Sequence, residues 1–360
     1  MKINSEIVEY ACMGGAFLGG GGGGSIEMGM KFGMAAISSG IPKLVNICDI
    51  PGDGTILTVS MVGAPGAQNI HLEPAHFTKA VEIFTNRGIR IDALISNENG
   101  GFATVNGWYQ SAVMNLPVLD APCNGRAHPV GLMGGMGLQH RKNYISCQAA
   151  AGGKRENKNY LLIEVSGNIE AASEIIRQAS ISCGGMVAVA RNPVDISWVM
   201  KNAATGAIRQ AIEIGKILLN ESSQEKMVSE LNQYTGGRVL DRGSIEDIQR
   251  KTEKGFDLGV VNLSSGKDRI ELSFLNEYIC LEKDGERLVT FPDLITLIDA
   301  GKGRPVSSAE ASTGNEVLIY HVPGKKLKLG SGMKDLALYR RIEEVLKKNI
   351  IRYMDNEYHD

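Results

Sequence analysis

Apolar positions along the chain alternate between helical spacing and short buried runs, with glycine-bearing polar loops between them. Residues 3–13 predict a first helix closed by Gly14. Ser25 then caps a second helix that carries Ile26, Met30, Met34 and Ile37 and ends at Gly40. Lys43–Ile50 and Thr55–Val62 read as strands. Glu73–Arg87 is an amphipathic helix, with Phe77, Ala80, Val81 and Phe84 on one face and Gly88 just past its end. Ile91–Ser96 (strand), Val105–Asn115 (helix) and Pro117–Asp120 (strand) follow. Strand, helix, strand at these lengths implies right-handed crossovers in a largely parallel sheet. The pattern continues through strand Leu161–Val165, helix Glu170–Ser182, strand Met186–Ala190 and helices to Leu219.

From about Gly236 the texture changes to short turn-bounded runs: Val260–Leu263, Ile270–Phe274, Tyr278–Leu281, Leu288–Phe291 and Glu316–His321. Leu294–Asp299 reads as a helix capped by Asp293. The expected fold is therefore α/β: residues 1–220 a layered domain with a largely parallel sheet, 236–325 a β-rich, barrel-like domain, and 335–355 a charged helix packing back on the body.

In open α/β sheets ligands bind beyond the carboxyl ends of the strands. Three loops fall at such ends: Gly63-Ala64-Pro65-Gly66, Asn97 to Gly101, and Asp120 to His128. Their convergence on one sheet edge marks the candidate site. A fourth element, the six glycines Gly19 to Gly24, lies between an apolar stretch and a helix. Glycine is costly to order, so the run is read as a backbone cradle, with Gly20, Gly21, Gly22 and Gly23 offering amides to an anion or carbonyl oxygen. Tight packing and a flexible linker are the alternatives.

Composition narrows the function classes. A formal net charge of −2 gives no electrostatic case for nucleic acid, and no uncharged apolar stretch spans a bilayer. Glu6 and Glu9 stand where a signal peptide would be basic and then apolar, and six scattered cysteines form no Cys-x-x-Cys pair. A cytoplasmic protein with reduced thiols is expected, and a homo-oligomer. The glycine run follows a helix instead of a strand, so the dinucleotide fingerprint fails on context, and no Walker-A lysine, Gly-x-Ser-x-Gly or His-Glu-x-x-His is present.

Within the strand-end loops, Glu98 suits a general base or ligand, His128 an acid, base or ligand, and Cys123 a nucleophile, a ligand or a packed thiol. Arg126 either grips a substrate carboxylate or carbonyl, or pins its loop through backbone carbonyls. Asn99 and Asn124 are candidate substrate contacts. No cofactor follows from these residues, although a divalent metal on Cys123, His128 and Glu98 stays open as a lyase or isomerase centre. Asn276-Glu277 reaches the site across a domain interface or simply makes a hairpin turn. His71 and His76 bracket a helix entry, and His140 reads as surface.

Several of these segments together resemble the S-methyl-thiohydantoin desulfurase family, formerly a domain of unknown function. The signposts are Leu18 to Gly24, Gly63-Ala64-Pro65, Glu98 to Gly101, Gly125-Arg126-Ala127-x-Pro129, Gly206-Ala207-Ile208 with Ile214-Gly215, Gly255-Phe256-x-x-Gly259, Asn276-Glu277 and Pro292 to Ile295. The resemblance covers nearly the whole chain. It implies a three-layer α/β domain followed by a β-barrel-like one, hydrolytic removal of a sulfur substituent from a five-membered ring, and a neighbouring hydantoinase/oxoprolinase-type partner. This chain departs from the family pattern at Pro122-Cys123, where many relatives carry Asp-Gly, and at His128, where many carry an aromatic residue. Both departures argue against Cys123 as a family-wide nucleophile and point to a branch with its own substrate. The expected function is hydrolysis of a hydantoin-like or S-methyl-thiohydantoin-like small molecule; a non-catalytic partner of a hydantoinase-type subunit is the alternative.

Overall fold

A computed structural model describes residues 1–63, 67, 69–253 and 256–354. Residues 64–66 and 255, part of two of the loops and motifs above, lie outside the described residues.

The first sheet contains β1 (Leu44–Val45), β2 (Thr55–Gly63), β3 (Ala93–Ser96), β4 (Val118–Leu119), β5 (Ser146–Gly152), β6 (Leu161–Gly167) and β7 (Met186–Asp195). Their order is β1-β4-β3-β2-β7-β5-β6. β1, β4, β3, β2 and β5 point one way and β7 and β6 the other, so the sheet is mixed and mostly parallel in direction. Helices α1 (Ser5–Gly19), α2 (Ile26–Ser39), α3 (Pro74–Asn86) and α4 (Trp108–Met114) cover one face, and α5 (Ile169–Ser182) and α6 (Ile196–Asn202) the other. The alternation along β7 shows the layering: Ala188 and Ala190 pack with Phe77 and Phe84 of α3, and Val187 and Val189 with Ile176 of α5.

α1 does not end at Gly14. Asn4 caps it by accepting from the Ile7 amide at 2.9 Å, and the helix runs to Gly19, with Gly20 left-handed as its C-cap. Gly14 sits inside because α7 (Ala207–Asn220) crosses there: a Cβ on Gly14 would stand 1.7 Å from the Ala211 carbonyl oxygen, and one on Gly215 would stand 1.9 Å from that of Tyr10. The glycines set the crossing distance.

After α8 (Gln224–Thr235), the second sheet is antiparallel throughout. It is built from β8 (Arg238–Glu253), β9 (Phe256–Ser265), β10 (Asp268–Leu275), β11 (Glu277–Lys283), β12 (Glu286–Thr290), β13 (Leu294–Asp299), β14 (Pro305–Val306) and β15 (Glu316–Val322). The order is β12-β11-β10-β9-β8-β15-β13-β14, yet β11 also lies against β13, so the sheet curls back towards itself. Leu294–Asp299 is thus strand β13 and not a helix. Asp293 caps nothing there; it accepts from the Gly324 amide and pairs with His321 at 2.7 Å. The run was ambiguous because both faces of β13 are buried, which removes strand alternation. Finally α9 (Leu336–Leu346) packs Leu338, Tyr339 and Ile342 into one cluster with Ile95, Leu119 and Phe291, joining the two sheets. No helix among the described residues is long and apolar enough to cross a membrane.

Candidate active site

The ends of β3 and β4 place the two central loops side by side. Past the strands, the amides of Cys123 and Asn124 still donate to the carbonyls of Ser96 and Asn97, at 2.9 and 3.1 Å. This registry carries His128 onto Glu98: the His128 amide donates to Glu98 Oε2 at 3.2 Å, and Nε2 lies 3.2 Å from the same oxygen. Asn97 stands beside them. Its Oδ1 accepts from Arg191 Nη2 at 2.7 Å, which turns Nδ2 towards His128 Nε2 at 3.3 Å.

These groups line a cavity of about 350 Å³ between the two sheets. Its lining includes Glu98, His128 and Arg191, together with Gly23 and Gly24, Glu277 of β11, Phe256 of β9 and Arg177 of α5. Burial dominates the ionisation of the pair. It pushes Glu98 up to about 8, against the opposing pull of the His128 amide and the Arg191 and Arg126 guanidiniums. Burial, helped by the positive charge of Arg191, takes His128 down to about 3. Near neutrality the pair is therefore uncharged, with its proton on the carboxyl. Arg191 is itself buried, and its charge faces Glu98 and Cys123.

The other expected site residues lie elsewhere. Cys123 is fully buried, with Sγ 3.4 Å from Thr58 Oγ1, and burial raises its thiol to about 11. It does not line the cavity, and it is packed as a buried thiol whose raised pKa disfavours the thiolate a nucleophile needs. Nor does it join a ligand set: no group of three or more His, Cys, Asp or Glu among the described residues is placed to hold a metal ion. Arg126 is not among the residues that line this cavity. Its Nη1 donates to the carbonyls of Pro292 and Asp293 at 2.8 and 2.7 Å, and its guanidinium stacks over Phe291 at 4.6 Å, pinning the loop to the second sheet. Asn99 is likewise structural, giving Nδ2 to the carbonyls of Gly125 and Ala207 and accepting from Thr104 Oγ1. Asn124 bridges the Arg126 carbonyl and the Gly330 amide.

The glycine run is ordered and central, but as a seam more than an amide cradle. The Gly20 carbonyl accepts from Tyr278 N at 2.7 Å, that of Gly21 from Ser308, and that of Gly23 from Phe102 and Ala103. A Cβ on Gly21 would stand 2.8 Å from the Tyr278 ring, and one on Gly23 2.5 Å from Gly100 Cα. Gly20 to Gly22 do not line this cavity; of the run, Gly23 and Gly24 do.

Two cavity residues escaped the sequence reading, Arg191 and Arg177, whereas Glu277, which that reading left between the site and a hairpin turn, does line the cavity. The one available signal was Arg191 itself, a lone guanidinium directly after the apolar strand run Met186–Ala190.

The family models match in the same two-part arrangement. Residues 7–159 match the model described as S-Me-THD-like, N-terminal domain, and residues 167–330 match S-Me-THD-like, C-terminal domain. The chain belongs to the S-Me-THD-like family. A crystal structure of a protein from Chromobacterium violaceum is similar, with a TM-score of 0.74 over 96% of each chain at 17% sequence identity, so the two share this fold. No curated protein matches. In this S-Me-THD-like chain, Glu98 and His128 come from the segment matched by the N-terminal model and Arg177, Arg191 and Glu277 from that matched by the C-terminal one, so the cavity needs both.

Proposed function

We propose that this chain is a hydrolase of a small cyclic amide or imide, of the hydantoin or S-methyl-thiohydantoin type. The observation that carries the reading is the Glu98–His128 pair, 3.2 Å apart, in a cavity that both sheets enclose beside a buried guanidinium. Family membership supports the thiohydantoin-like ring as substrate class.

In this reaction water attacks the ring carbon that bears the sulfur substituent. Ionised Glu98 takes a proton from the water as the new C–O bond forms. The C–S bond then breaks, and the proton returns to the departing sulfur, which leaves as a thiol, with His128 assisting the transfer. The oxygen and the second hydrogen stay with the ring as a carbonyl and an N–H. Arg191 supplies fixed positive charge where negative charge develops.

The test is thiol release by the isolated chain from a panel of S-methyl-thiohydantoins, with ring opening of hydantoins followed in parallel. Because the carboxyl of Glu98 is raised, its base form grows as pH rises, so kcat/KM should climb and level off above about 8. A chain that turns over none of the panel contradicts the reading. A profile that falls across pH 6 to 9 contradicts Glu98 as the base.

A further inference from the structure

Among the described residues, Glu277 is the one buried acidic residue of the second sheet that lines the cavity, and the hydrolytic steps make no use of it. It is the first residue of β11, directly after Asn276, whose left-handed backbone (φ 57°) turns the chain back from β10. The Asn276 side chain and amide are occupied by Asp257: the Asp257 amide donates to Oδ1 at 2.9 Å, and the Asn276 amide donates to the Asp257 carbonyl at 2.7 Å. The turn is therefore held without help from the Glu277 carboxyl.

That carboxyl lies over the glycine run. A Cβ on Gly22 would stand 2.0 Å from Glu277 Oε1 and 2.6 Å from its Cδ, so the missing side chain at 22 is the space the carboxyl occupies. Its other oxygen, Oε2, is buried and has no hydrogen-bond partner among the described residues. A buried polar oxygen without a partner is costly, which favours a role in which a ligand supplies that partner.

We infer that Glu277 is a substrate-binding and specificity-determining residue that grips a lactam edge of the ring. As a carboxylic acid it would donate its O–H to a ring carbonyl while its C=O accepts from the adjacent ring N–H. This rests on the ring-hydrolase reading above. The complementarity is chemical: a carboxylic acid presents one donor and one acceptor side by side, as does the N–H/C=O edge of a hydantoin. Burial and the nearby Glu98 both hold the Glu277 carboxyl in its neutral form, more strongly than Arg126 and Arg177 favour the charged one. The geometry also gives the glycine at 22 a specific purpose, since any larger residue would displace the gripping group.

Calorimetric titration with hydantoin and 1,3-dimethylhydantoin tests the inference on the full chain, using wild type, Glu277→Gln and Glu277→Met. Gln keeps a donor beside an acceptor, so Glu277→Gln should bind hydantoin within a few-fold of wild type. Glu277→Met should lose at least about tenfold, the change expected for one donor–acceptor pair. Dimethylhydantoin, which has no N–H, should bind wild type more weakly than hydantoin but bind the Met variant no worse than hydantoin does. Circular dichroism confirms folding of each variant. Near neutrality the protonated-carboxyl infrared absorption should be weaker in Glu277→Gln than in wild type, the remainder belonging to Glu98, and this loss supports the neutral form of Glu277 independently. Hydantoin bound equally by wild type and a folded Glu277→Met protein overturns this inference and leaves the hydrolase reading standing. No ring bound by wild type overturns both.

Discussion

Replacing Glu98 by Gln should lower turnover by about 10²-fold or more while leaving ring affinity within a few-fold. Gln keeps the volume of the side chain and an oxygen to accept from the His128 amide, so the loop pair stays in register. What is lost is the group that takes a proton from water. The same variant carries an opposite signature in stability. The folded-state pKa of Glu98 lies above its ordinary value, so the stability gained from the protonated form is fully present below about 4.5 and is lost as pH rises through about 8. Glu98→Gln has no charge to bury and should be more resistant to unfolding than wild type at pH 9, with the difference shrinking towards pH 5. Denaturation curves at both pH values check this. An active, pH-indifferent variant would remove Glu98 from the chemistry.

The second large effect is structural. Gly14→Val should destabilise the fold by about 3 kcal/mol or more, near or beyond the upper end for forced overpacking. The obstacle at Gly14 is the backbone carbonyl of Ala211, 1.7 Å from where the Cβ would sit, with the amide of Gly215 at 2.7 Å. A backbone obstacle cannot rotate away, so α1 and α7 must separate. Because α1 leads directly into the glycine seam, the cavity should loosen with it, and ring affinity should fall together with stability. Gly167→Ala is the control. An added Cβ there meets nothing within 4 Å, and the change should fall within about 0.5 kcal/mol of wild type. Urea unfolding of the two variants and wild type makes the comparison.

Much of the scaffold was legible in sequence because local signals agreed with tertiary ones. Helix α3 has a clean apolar stripe, a proline in its first turn and a glycine past its end, and it forms where expected. Loops at the carboxyl ends of parallel strands lie side by side, so the proximity of Glu98 and His128 was also legible in the sequence. Strand β5 was missed because Ser146 to Gly152 contains only small and polar residues, with no β-branched side chain to signal it. The first helix was cut short at Gly14 because glycine in a helix reads as a stop unless the crossing partner is known.

Site roles were harder to read for a different reason. Whether a guanidinium meets a ligand or a carbonyl depends on what folds against it. Arg126 meets Pro292 and Asp293, supplied by a distant part of the chain, whereas Arg191 and Arg177 reach the cavity from an antiparallel strand and a helix that carry no motif. Cys123 looked chemically able because it shares a loop with His128, but its thiol lies in the core beside Thr58, an outcome that depends on what packs over the loop.

The central claim is that the Glu98–His128 pair in the cavity between the sheets is where the ring reacts. A crystal structure of Glu98→Gln soaked with an S-methyl-thiohydantoin tests it most directly, since the slowed variant should hold the intact substrate. The account predicts the ring in that cavity, with its sulfur-bearing carbon facing Gln at position 98 and His128, and its lactam edge against Glu277. A ring bound elsewhere on the protein, with this cavity left empty, would contradict it.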